Sequence, residues 1–88
     1  MKLTLNGFFE ICHKYSCDID KDVFWQAKYN YYYIADFSEH GNRAFIYTDK
    51  GIVDCLDYDE FENYIKNKIL FLKYRNYGKK LARIAEDF

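Results

Sequence analysis

Lys28 to Phe37 reads KYNYYYIADF, with four tyrosines among its ten residues and three of them consecutive. Aromatic and β-branched residues favour strands, and a strand turns alternate side chains to opposite faces. Read as a strand over 31–37, the segment puts rings on both of its faces. Whether those rings fill a core or form a surface decides how the rest of the chain must pack.

Working outward, two further strands follow. After the loop SEHGN, where Gly41 and Asn42 supply turn chemistry, Arg43–Thr48 is the second strand. Asp49, Lys50 and Gly51 read as a three-residue hairpin loop with Gly51 in the left-handed position. Ile52–Leu56 is the third strand, and such short connections give antiparallel order. With Thr48 opposite Ile52 and Phe37 opposite Arg43, one face carries Tyr32, Ile34, Asp36, Ala44, Ile46, Thr48, Ile52, Asp54 and Leu56. The other carries Tyr31, Tyr33, Ala35, Phe37, Arg43, Phe45, Tyr47, Val53 and Cys55. Neither face is plainly polar, so the expectation is that helices cover both. The sharper alternative is a partly exposed aromatic platform for a protein interface or for stacked bases. An RNA-recognition motif is not indicated, because neither its strand order nor its aromatic signature is present.

Upstream, Leu5, Phe8, Phe9, Cys12 and Tyr15 keep helical spacing over about 4–16, with Thr4 as N-cap and Gly7 as a weak point. Cys17 to Asp22 reads as a polar loop, and 23–28 reads either as a helical turn or as an extended lead-in. Downstream, Asp57 with Glu60 has the spacing of a capping box. Tyr58, Phe61, Ile65, Ile69 and Leu72 form one apolar stripe, and Leu70, Tyr74, Tyr77, Leu81, Ile84 and Phe88 form a second, out of phase with the first. The segment is one long helix that turns a new face to a new partner, or two shorter ones. The fold class is therefore α+β in a single domain over 1–88: a helix, a three-stranded antiparallel meander and a helical C-terminus.

An 88-residue chain has room for one modest core. Half of its residues are hydrophobic and 22% are aromatic, which suits a small globule that buries area through rings. No apolar run approaches a membrane span, and the N-terminus lacks the sustained apolar segment of a signal peptide. Three cysteines, an odd number, read as reduced thiols in a cytoplasmic protein. Ten lysines against three arginines, with abundant Asn, Ile, Tyr and Phe, fit an AT-rich genome such as that of a low-GC bacterium or its phage.

The net charge of −1 conceals a polarity. Residues 1–65 hold twelve acids and six bases, a net of −6, while residues 66–88 hold seven bases and two acids, a net of +5. Asp54, Asp57, Asp59, Glu60 and Glu62 crowd one short segment, where acids suit the positive end of a helix dipole and also offer a phosphate-like surface. Lys66, Lys68, Lys73, Arg75, Lys79, Lys80 and Arg83 form a run without intervening acids, interleaved with Tyr74 and Tyr77. Such a helix suits a phosphate backbone, although the whole-chain pI of about 6.1 is unlike a basic nucleic-acid module.

Catalytic and metal signatures are weak. Asp18, Asp20 and Asp22 open like an EF-hand loop, but Val23 stands where glycine is required and Tyr29 where the bidentate acid belongs. Cys12, His13 and Cys17 lack zinc spacing, and phosphate-loop, GxSxG and HExxH motifs are absent. The expectation is a non-enzymatic module that needs no cofactor or metal and binds a larger protein as an inhibitor or adaptor. Its contacts would be Tyr31, Tyr33, Phe45, Tyr47, Asp54, Asp57, Asp59, Glu60 and Glu62. By size and composition, a phage-type inhibitor of a host nucleic-acid-processing system fits this description. The rival is direct nucleic-acid binding by the basic run, and a third reading is a homodimer joined through the second apolar stripe.

Overall fold

The computed structural model describes the backbone of residues 1–86 and the side chains of residues 1–74. Helix α1 spans Leu5–Lys14, and strands β1 to β5 span Asp18–Lys21, Trp25–Tyr29, Tyr32–Ser38, Arg43–Thr48 and Gly51–Cys55. Helix α2 spans Tyr58–Glu86. The class is α+β as the sequence indicates, but the meander has five strands rather than three, in the order β1-β2-β3-β4-β5, each antiparallel to the next.

The two extra strands lie in the segment read as a polar loop and in the one read as either a helical turn or an extended lead-in. The stretch from Asp18 to Lys21 forms the edge strand β1, with only Ile19 turned inward among charged neighbours. Charges on an edge blunt its tendency to pair with other chains. Trp25–Tyr29 pairs with both β1 and β3. The tyrosine-rich stretch is therefore a hairpin rather than one strand. Tyr29 pairs with Tyr32 across Asn30 and Tyr31, whose φ angles of 50° and 72° are those of a type I′ turn.

The registers also differ from expectation by one residue. Phe37 lies opposite Ala44 rather than Arg43, and Thr48 opposite Gly51 rather than Ile52. The β4–β5 loop is thus the two residues Asp49 and Lys50, with Gly51 already in the strand at φ 114°. A β-bulge sits in β3, where Ala27 pairs with Ala35 and Lys28 with Tyr33, leaving Ile34 unpaired by β2. A one-residue shift exchanges faces, so the two face sets are re-sorted. Ala35, Phe37, Ala44, Ile46, Val53 and Cys55 share the inner face. Asp36, Phe45, Tyr47, Ile52 and Asp54 share the outer face, and the bulge adds Tyr33.

Both helices pack on the inner face. Phe8 of α1 stacks on Phe37 with ring centroids 5.2 Å apart and meets Phe61 of α2 at 5.6 Å. Phe9 meets Trp25 edge-on at 4.9 Å. Ala27, Ala35 and Ala44 are fully buried, and these small side chains let the helices come close to the sheet. The expectation of helices on both faces is therefore corrected. The first apolar stripe of α2 is the buried one, through Phe61, Ile65, Ile69 and Leu72.

Both helix N-termini are capped by the residues the sequence indicates, although only the Asp57 half of the capping box is formed. Thr4 Oγ1 accepts from the Gly7 amide at 3.1 Å, and Asp57 Oδ2 accepts from the Glu60 amide at 3.0 Å. The C-terminal segment is a single helix of 29 residues, about 43 Å long at 1.5 Å per residue. That is about twice the length of a six-residue strand such as β4, and the longest dimension of the molecule is 54 Å. The part of the second stripe from Tyr77 to Phe88 has side chains outside the described residues, whereas Leu70 and Tyr74 are exposed.

Candidate binding face

Among the described residues both helices lie on one side, and the other face of the sheet is open. Cross-strand pairing lines up Gln26, Asp36, Phe45 and Asp54 in one row and Tyr47 with Ile52 in another. Lys28 pairs with Tyr33 beside the bulge, its ammonium 5.4 Å from the ring centroid. Phe24, from the β1–β2 turn, packs edge-on against Phe45 at 5.5 Å. Tyr33 is 54% exposed and Ile52 66%. The Arg43 guanidinium reaches the Asp54 carboxylate at 3.3 Å. A strip of half-buried rings thus runs between exposed apolar residues and paired charges. Fixed rings flanked by polar groups are what a docking surface requires.

Asp36 anchors this face. Its Oδ2 accepts a hydrogen bond from the Tyr47 hydroxyl, while its buried Oδ1 has no partner among the described residues. Burial, aided by that hydrogen bond, pushes the Tyr47 phenol up to about 12. Behind the same strands, Tyr64 of α2 closes the gap opened by the bulge. Its hydroxyl donates to the Ile34 carbonyl at 2.6 Å and accepts from the Tyr47 amide at 3.2 Å. The bulge that re-aims Tyr33 is therefore held by a helix residue on the far side of the sheet.

Of the residues expected to bind, Tyr33, Phe45, Tyr47 and Asp54 come together on the open face. Tyr31 stands apart at the β2–β3 turn, 88% exposed. The acids of α2 lie elsewhere, and two of them have partners within the fold. Asp57 caps the helix and meets the N-terminal ammonium at 3.1 Å. Glu62 accepts from the Lys14 ammonium at 2.6 Å and from the Tyr15 hydroxyl at 3.1 Å, which joins α1 to α2. These contacts, Lys14 foremost, hold the Glu62 carboxyl below its ordinary range. Asp59 and Glu60 are left at the surface.

Sequence reasoning missed Phe24, Lys28, Asp36 and Ile52 as members of the open face. Phe24 and Lys28 belonged to a segment of ambiguous type, and Asp36 and Ile52 were assigned to the opposite face by the register error. The basic run is described as far as Tyr74, which is 70% exposed. Lys66 and Lys73 are exposed and the Lys68 ammonium sits 5.9 Å from the Phe71 ring centroid. Arg75, Tyr77, Lys79, Lys80 and Arg83 have side chains outside the described residues. Among the described residues, no three His, Cys, Asp or Glu side chains are grouped to hold a metal ion, and no helix is long and apolar enough to cross a membrane. Compared with known protein families, curated proteins and solved structures, the chain has no match.

Proposed function

We propose that this protein is a small non-enzymatic binding module that acts as an inhibitor or adaptor by laying its open sheet face on a larger protein. The observation that carries the reading is the placement of Tyr33, Phe45, Tyr47 and Ile52 together on the one sheet face that neither helix covers. Rings held by pleat and pairing bind with little loss of side-chain freedom. The exposed acids Asp59 and Glu60, which lie off that face, favour by longer-range attraction a partner with a basic surface, such as a protein that itself handles nucleic acid.

The test is capture by tagged wild type and by Tyr33→Arg, Ile52→Arg and Phe71→Arg variants, each first checked for a native melting transition. Loss of the captured protein with the two sheet variants but not with Phe71→Arg supports the reading. Capture that survives both sheet changes overturns it.

A second reading, direct nucleic-acid binding, is favoured by one observation: exposed Lys73 beside exposed Tyr74 on α2. Binding to random DNA and RNA that falls steeply with salt, and is lost when Lys73, Arg75, Lys79 and Lys80 become Ala, would establish it.

A further inference from the structure

The end of α1 brings two cysteines together. The Cys17 amide donates to the Cys12 carbonyl at 2.8 Å, and the Ser16 amide donates to the His13 carbonyl at 3.2 Å. Ser16 sits between them with φ 59°. These nested bonds around a left-handed residue are the Schellman motif, in which the side chains flanking the paired bonds meet. Here those two side chains are Cys12 and Cys17. Cys12 is wholly enclosed by the core, whereas Cys17, although 6% exposed, lines a groove of about 410 Å³ with Phe9, His13, Asp18, Ile19 and Trp25. Cys17 thus borders a recess on the surface, and Cys12 lies enclosed behind it.

We propose that Cys12 and Cys17 form a redox-active dithiol that closes into a disulfide by exchange with a small-molecule disulfide such as oxidised glutathione. Cys17 gives its proton to solvent, and its thiolate attacks one glutathione sulfur, forming a mixed disulfide as the glutathione S–S bond breaks. The first glutathione leaves as thiolate and takes a proton from water. Cys12 then gives its proton to solvent and attacks Cys17 Sγ, expelling the second glutathione thiolate. Two protein thiols are oxidised and one small disulfide is reduced to two thiols. The order of attack follows the environment. Cys17 borders the groove and so meets a small disulfide first, while Cys12 lies enclosed behind it. The neighbouring Cys12 thiol holds the Cys17 thiol below its ordinary range, and Cys17 together with burial pushes Cys12 up. The lower thiol is the nucleophile and the enclosed one resolves. Cys55 is the internal control. It is buried against β4, its Sγ lies 3.5 Å from the Asp57 carbonyl, and burial raises its thiol.

The test is peptide mapping of the folded protein after equilibration in glutathione buffers of stepped oxidised-to-reduced ratio, with acid quench and thiol alkylation. The expected result is a linked Cys12–Cys17 peptide that grows with the ratio while Cys55 stays alkylatable. Cys12→Ser should lose the linked peptide and collect glutathione on Cys17. Cys17→Ser should lose both products. The wild-type map stands alone if either variant fails to fold. A wild type with both thiols free at the most oxidising ratio, or linked only in denaturant, overturns the proposal and leaves the pair as an apolar helix-end contact.

Discussion

Tyr31 holds a left-handed φ of 72° and is 88% exposed. A side chain at such φ costs about 1–2 kcal/mol relative to glycine, and nothing in the core recovers it. Tyr31→Gly should therefore raise stability by about 1 kcal/mol in urea unfolding. If Tyr31 also touches the partner, the same change weakens capture, which separates stability from binding. A lowered urea midpoint would show that the ring, with Lys28 5.9 Å from its centroid, contributes to the fold. Tyr47 sets an alkaline limit. Its folded phenol titrates at about 12 against an ordinary 10. The raised value favours the neutral form in the fold, so this contribution is complete below about pH 10 and is lost as pH rises to about 12. Tyr47→Phe should flatten the fall of unfolding free energy across that window. An unchanged slope would mean that other groups govern it.

At the scale of elements, the crossing of α1 and α2 is fitted around one glycine. A Cβ on Gly7 would stand 2.9 Å from Cδ2 of the Tyr58 ring. Gly7→Ala gains up to about 1 kcal/mol of helix propensity but drives the ring off its site. The expected net outcome is a lower melting temperature, recovered by Gly7→Ala in a Tyr58→Ala background. A stabilised single variant would show that the ring yields freely. The elements also show where sequence was legible. Thr4 and Asp57 cap the helices as expected, although the Glu60 half of the capping box is not formed. The stripe of α1 and the first stripe of α2 pack on the core, because a 3.6-residue period over several turns leaves little ambiguity. The hairpin at Asn30 and Tyr31 was not legible, since tyrosine in a type I′ turn breaks the usual Asn-Gly pattern. Neither was β1, whose apolar residue is a single isoleucine. Without that turn, Tyr31 read as the first residue of a strand over 31–37. The registers were set by turns whose lengths the sequence leaves open.

Across the whole molecule, the Lys14–Glu62–Tyr15 cluster joins the two helices at the edge of the core. The carboxyl of Glu62 is depressed, so its stabilisation is present above the ordinary carboxylate range and lost as pH falls through the folded value. Glu62→Gln should unfold at lower temperature at neutral pH, and the difference from wild type should close on acidification. A gap that persists in acid would assign the loss to packing. The charge division between residues 1–65 and 66–88 has a structural counterpart along α2, whose first turn carries Asp59 and Glu60 and whose basic run begins at Lys66. The candidate face was half legible. Tyr33, Phe45 and Tyr47 were placed together on one face as they are in the structure, but Asp36, Ile52 and Asp54 were assigned to the other side by the register, although Asp54 was named as a binding acid.

The linear order of residues determined what each local segment prefers: helical stripes, caps, strand content and the wealth of rings that a short chain needs for a core. It could not determine which side of the sheet both helices would choose. That choice rests on Phe8, Phe37 and Phe61 meeting over Ala27, Ala35 and Ala44, residues far apart in the chain whose shapes fit only once the strands are in register. Alternation divides a strand into two faces, and only the packing of distant groups says which one meets water.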